Sequence, residues 1–262
     1  MNHNLVKISS FQKIGVDDTT GNFTVNFENH ASTHKVVKMV VKAVDVPNVF
    51  YNINSSGFNE DNAGNNTYTY LDTGGTPVSV VVPPGQYTRN QFLTALNALL
   101  LVSTVPHDIV FNQITKKLEF NALGVANFYV QNYNDGNTMA PVLGIETSSV
   151  GAGITQYDAE GFPDLSGVSH IYIVSNPLGQ VNLLSPNGLA FPLIAHIPLT
   201  VPFGGIEHYL SKHPEIDDIT YPNYFDGINM RKLNIQVVDT YGNQLDLGGL
   251  HINIILKIYH NL

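Results

Sequence analysis

At 262 residues the chain is long enough to bury a substantial core, and a hydrophobic content of 43% fits a globular protein. Charged residues are only 13%, about half the usual ~25%, and the net charge of −9 argues against a surface built to displace counterions from nucleic acid. With no Cys there is no disulfide, zinc–thiolate site or thiol nucleophile, and no apolar run reaches the ~18 residues of a membrane-spanning helix.

Residues 1–20 are polar and weakly periodic, which predicts an N-terminal arm or a first edge strand. No basic region followed by an apolar run is visible there, so no secretory leader is expected. Phe23, Val25 and Phe27 then alternate with polar residues, the pattern of a half-buried strand. A β-branched run from Val36 to Val46 stops at Pro47. It carries Lys38 and Lys42, which even spacing places on one face with Val36, Val40 and Val44, as on an edge or solvated strand. Residues 52–67 read as an Asn/Gly/Ser loop, followed by short strands at Tyr68–Leu71 and Val78–Val82.

One helix is predicted. Pro83-Pro84-Gly85 ends the preceding strand, and Thr88 followed three residues later by Gln91 forms a capping-box pair. Phe92, Leu93, Leu96, Leu99 and Leu100 then share a face at helical spacing, so that face belongs against a sheet. Short strands follow at Ile109–Phe111, Leu118–Phe120 and Phe128–Val130; residues 134–166 read as a long irregular excursion, and Val168–Val174 as another strand.

At the C-terminus Leu233, Ile235 and Val237 alternate with polar partners. After the turn Asp239-Thr240-Tyr241-Gly242-Asn243, the residues Leu250, Ile252, Ile254, Leu256 and Ile258 point one way. Two period-2 strands about such a connection predict an antiparallel pair. Many short strands, Gly/Pro punctuation and one helix indicate an all-β sandwich or jelly roll, and with no internal repeat to suggest two in tandem the class expected is a single jelly-roll β sandwich with one short amphipathic helix and room for a loop insertion. The domain expected is residues 21–262, with long loops near 52–67 and 134–166.

Catalytic and metal motifs are weak. Asp72-Thr73-Gly74 matches the aspartic-protease triplet, but no second copy exists to share its proton, and a Gly-rich turn explains it better. There is no Gly-x-Ser-x-Gly elbow, no phosphate loop and no His-x-His of the kind metal-binding jelly rolls use. Glu207, His208, His213 and Glu215 cluster without metal-ligand spacing, and Asp217, Asp218 and Asp226 do so without calcium-loop spacing. No catalytic, cofactor-binding or metal residue is assigned, and no cofactor is expected.

Three segments in order resemble penton proteins of virophages and Polinton-like viruses. The first is Val82-Pro83-Pro84-Gly85-Gln86-Tyr87-Thr88, running into a helix that contains Leu96-Asn97-Ala98-Leu99-Leu100. The second is Leu143-Gly144-Ile145, then Leu165-Ser166-Gly167 and Ile171 to Asn176. The third is Asp239, Gly242 and Asp246 leading into the last strand, whose core would be Ile252, Ile254, Leu256 and Ile258. The resemblance spans roughly residues 78–260. It implies a structural, non-enzymatic capsid protein that forms a homopentamer at the vertex of an icosahedral virion, beside neighbouring major capsid proteins, with no nucleic-acid partner and no membrane span. The low charge and abundant Asn suit lateral packing between copies. A jelly roll of receptor-binding or fibre type is the alternative, with loop aromatics such as Tyr133 or Tyr157 stacking on a glycan. A metal-dependent jelly-roll enzyme is the third.

Overall fold

The computed structural model describes residues 2–13, 19–26, 35–57, 63–124, 127–148, 153–175, 182–184, 190–210, 223–228 and 232–261. The chain forms two compact units, one from Met1–Phe50 with Val168–Leu262 and the other from Tyr51–Gly167.

The first unit is a two-layer antiparallel sandwich. Its first sheet runs β1 (Asn2–Ser9), β16 (Asn253–Asn261), β3 (Lys35–Pro47) and β13 (Ile206–Leu210), with β14 (Asn223–Ile228) also pairing β3. Its second sheet runs β11 (Asn182–Leu184), β12 (Ala190–Pro198), β10 (His170–Val174), β15 (Lys232–Val238) and β2 (Asn22–Asn26). The chain alternates between the sheets from β1 through β2 and β3 to β10, and crosses again from β12 to β13, from β14 to β15 and from β15 to β16, which is jelly-roll connectivity. Alternation explains the packing: Phe23, Val25, Leu233, Ile235 and Val237 from one sheet meet Val6, Ile8, Ile254, Leu256 and Ile258 from the other in one buried cluster.

The second unit, inserted between β3 and β10, has two three-stranded sheets. One is β5 (Pro77–Val81), β4 (Thr67–Leu71) and β8 (Tyr129–Val130); the other is β6 (His107–Phe111), β7 (Leu118–Ala122) and β9 (Gln156–Asp158). Helix α1 (Arg89–Leu101) begins at Thr88, whose side chain and that of Gln91 complete the reciprocal cap. Its Phe92, Leu93, Leu96 and Leu100 are buried in this unit's own core with Tyr68, Tyr70, Phe120 and Phe128, and Leu99 packs beside them.

Four sequence expectations are corrected here. The final two strands are not a hairpin: β15 pairs β10 and β2, whereas β16 pairs β1 and β3. Their connection is long enough to change layers, and it drops Leu245 and Leu247 into the core on the way. Leu250 is exposed because it lies in the turn before β16, its N–H bonded to Leu247 O. Strand β3 is internal to its sheet, and bulges against β16 break the even spacing. The core therefore takes Val36, Met39, Val41, Val44 and Val46, while Lys38 lies opposite Tyr259. The described part of residues 134–166 is also more regular than an excursion. It includes part of a 3₁₀ turn (Tyr133–Asp135), helix α2 (Ala140–Leu143) and β9. Pro at the start of α2 and Gly144 at its end explain why so short a helix escaped a periodicity test. Strand β1 is the edge-strand form of the N-terminal segment, with Val6 and Ile8 buried. Phe27 lies outside the described residues.

Candidate functional site

The signature residues of the second unit converge on a side chain that no sequence motif marks. Asn52 is 2% exposed. Its Oδ1 accepts from the Tyr87 N–H at 2.9 Å, and its Nδ2 donates to Tyr87 O at 2.8 Å and Leu165 O at 3.0 Å. Gln86 Oε1 accepts from the Asn52 N–H at 3.1 Å. One amide thus clasps the Pro84-Gly85-Gln86-Tyr87-Thr88 turn to the Leu165-Ser166-Gly167 turn.

The neighbours of Asn52 explain the residue types in both turns. Gly85 pairs through its backbone with Ile53, and a Cβ there would come within 2.9 Å of the Tyr87 ring. The Tyr87 hydroxyl folds back to donate to Pro83 O at 2.9 Å, while Pro84 stays exposed. Gly167 has φ 68° and brings its backbone against Asn52, so a side chain there would be strained and crowded. The Ser166 N–H donates to Asp164 Oδ1 at 2.8 Å. Asn65 and Asn66, also buried, donate to Asn52 O and Val82 O. The described part of segment 52–67 is therefore a hydrogen-bonded strut, and composition alone made it read as a surface loop.

Asp239, Gly242 and Asp246 build the turn leaving β15 in the other unit. Asp239 Oδ1 accepts from the Tyr241 and Asn243 N–H groups at 2.8 and 2.9 Å, and Gly242 sits at φ 89°. Asp246 accepts from the Gly248 N–H at 2.9 Å. Ile252, Ile254, Leu256 and Ile258 are buried in the sandwich.

The residues weighed for chemistry are otherwise engaged. Asp72 Oδ1 accepts from the N–H groups of Gly74 and Thr76, each at 2.8 Å, and so holds the β4–β5 turn. Glu207 accepts from the N–H groups of Thr200 and Val201 and from the Thr200 hydroxyl. Burial works against its charge, but these donors outweigh it and hold its carboxyl below the ordinary value. His208 pairs with Asp45 at 2.8 Å. His213, Glu215, Asp217 and Asp218 lie outside the described residues, as does the side chain of Asp226. Among the described residues no group of three or more His, Asp or Glu side chains could hold a metal ion.

Of the loop aromatics, Tyr157 donates to Glu160 Oε2 at 2.5 Å and packs edge-on against Phe120. Burial and that carboxylate push its phenol well up. Tyr133 packs against the same core. Neither ring stands clear as a stacking platform.

Two sheet faces of the jelly roll point away from its core. Across the outer face of the first sheet the register aligns His3, Tyr259 and Lys38, then Leu5 and Lys257. Leu5 and, beyond β1, Phe11 are 67% and 76% exposed. The second sheet presents Thr24, Asn234, Gln236, Tyr172, His170 and His196, and none of its five strands contains Asp or Glu.

No protein-family profile and no curated protein matches the chain. Among solved structures it is similar to the selenomethionine-labelled mavirus penton protein, with 13% identity over 100% of both chains and a TM-score of 0.51. The chain has an all-β jelly-roll fold of the kind that penton protein has.

Proposed function

We propose that the chain is a structural capsid protein that forms the pentameric vertex of an icosahedral virion and has no catalytic role. The observation that carries this reading is the likeness of fold to the mavirus penton protein, which extends along the whole of both chains and so takes in the inserted unit as well as the jelly roll. A carboxylate-free sheet face and a low overall charge support it, because copies can bury such surfaces without stranding ions. The partners in this reading are further copies of the chain and the neighbouring major capsid proteins.

A closed ring needs one face of each copy to meet a different face of the next. Native mass spectrometry or light scattering on the purified chain is expected to find an assembly of five 28.7-kDa subunits, favoured at high concentration. A stable trimer would turn the assignment to the receptor-binding or fibre class, and a strict monomer would remove the support for a self-assembling ring.

A further inference from the structure

On the outer face of the second sheet, His170 and His196 stack with ring centroids 5.0 Å apart, and the Tyr172 ring lies against His196 at 4.9 Å, nearly parallel. Strands β10 and β12 carry these rings in one antiparallel ladder, Tyr172 directly opposite His196 and His170 opposite Pro198. The His196 Nε2 is enclosed and has no hydrogen-bond partner among the described residues. We infer that this stack is an acid-sensitive latch, which holds β10 to β12 while the His196 imidazole is neutral and loosens that pair when it is protonated.

Among the described residues, the strands of this sheet bring no carboxylate to the stack. Strand β11, on the other side of β12, contributes Asn182, Leu183 and Leu184, none of which titrates. Beyond β10, β15 contributes Asn234, Gln236 and the cation Lys232, and β2 contributes Asn22, Thr24 and Asn26. Strand β3, which also contacts β12, carries Lys38, Lys42 and Asp45, and Asp45 is paired with His208. Of the acids that flank the sheet, Glu207 is taken up by Thr200 and Val201, and Asp239 by its own turn. Burial, then the proximity of His170, holds His196 below the ordinary histidine value. A folded-state value below the unfolded ~6.5 means that the stabilisation is full above about pH 6.5 and is lost as the pH falls below it.

The latch belongs to the jelly roll alone and is independent of vertex assembly. Hydrogen–deuterium exchange on the full chain at about pH 7.5 and 5.5, corrected for the intrinsic exchange rate, reads it directly in peptides covering β10 and β12. Protection of those peptides in the native chain is expected to fall roughly tenfold in acid, and the loss should vanish in His170→Gln/His196→Gln. An equal loss in that variant, or none in the native chain, overturns the inference. Should the variant not fold, NMR titration of the native imidazoles decides. His196 is expected to titrate below ordinary histidine, and a value at or above it overturns the latch.

Discussion

The Asn52 side chain donates to Leu165 O at 3.0 Å across a separation of 113 residues, and Tyr87 is held by the same amide. Two turns that each read as local punctuation are one structural joint. Truncating the amide takes the partner from the Tyr87 N–H and from two carbonyls in a half-buried joint. Asn52→Ala is therefore expected to cost about 3 kcal/mol or more, at ~1–3 kcal/mol for each stranded group. Asn90→Ala, on the exposed face of α1, should stay within about 0.5 kcal/mol. Chemical denaturation of the two variants checks the contrast, and similar midpoints would mean that the joint carries no weight.

Strand β1 pairs with β16 over eight residues, from Asn2 opposite His260 to Ser9 opposite Asn253. Removing residues 2–9 would uncover Ile254, Leu256 and Ile258 and turn β16 into an edge. Loss of soluble, folded protein is the expected outcome, because Val6 and Ile8 each contribute roughly 1.5–3 kcal/mol of burial. A truncated chain that expresses and melts like the native one would show that β1 is dispensable to the sandwich.

The register of β16 makes a paired test. Ile254 is completely buried, so Ile254→Asp places an uncompensated charge in the core and should cost several kcal/mol, enough to threaten a fold whose total stability is ~5–15 kcal/mol. Asn253→Ser, on the outer face, should shift the melting temperature little. Equal shifts would contradict the register.

His107 supplies the acid prediction for the inserted unit. It is fully buried, with Nδ1 at 2.8 Å from Val105 O, Nε2 at 3.2 Å from the Tyr68 hydroxyl, and its ring stacked on Phe128. The Val105 carbonyl can only accept, so Nδ1 carries the proton and Nε2 accepts from Tyr68. Burial lowers its pKa, and the Val105 hydrogen bond and the Asp108 charge oppose this without reversing it. The unfolded state thus binds the proton better, and this unit should lose stability as the pH drops below about 6.5. Exchange protection in β4 and β6 is expected to fall on acidification, and His107→Phe should flatten that dependence even if it lowers stability at neutral pH.

Gly144 ends α2 at φ 71°, and a Cβ there would lie 2.5 Å from Gly161 O. Gly144→Ala should cost about 1–3 kcal/mol through backbone strain and this clash. A native-like melting curve would show that the Gly161 segment gives way freely.

The elements were legible because burial on a half-buried strand alternates locally. Phe23 with Val25, Leu233 through Val237, and Ile252 through Ile258 announce their inner faces whatever their neighbours are, and the Thr88/Gln91 cap announces α1 within four residues. Partnership was not legible, because a strand's hydrogen-bonding edge is the same backbone whichever strand it meets. That β16 lies between β1 and β3 rather than beside β15 depends on residues more than 200 positions away in the chain. The β3 bulges, the closure of residues 51–167 into a unit with its own core, and the meeting of His170 with His196 are likewise set by partners distant in sequence. Asn52 shows the same limit at the scale of one side chain. Among many asparagines nothing local marks this one as buried, and only the arrival of Tyr87 and Leu165 makes it a joint.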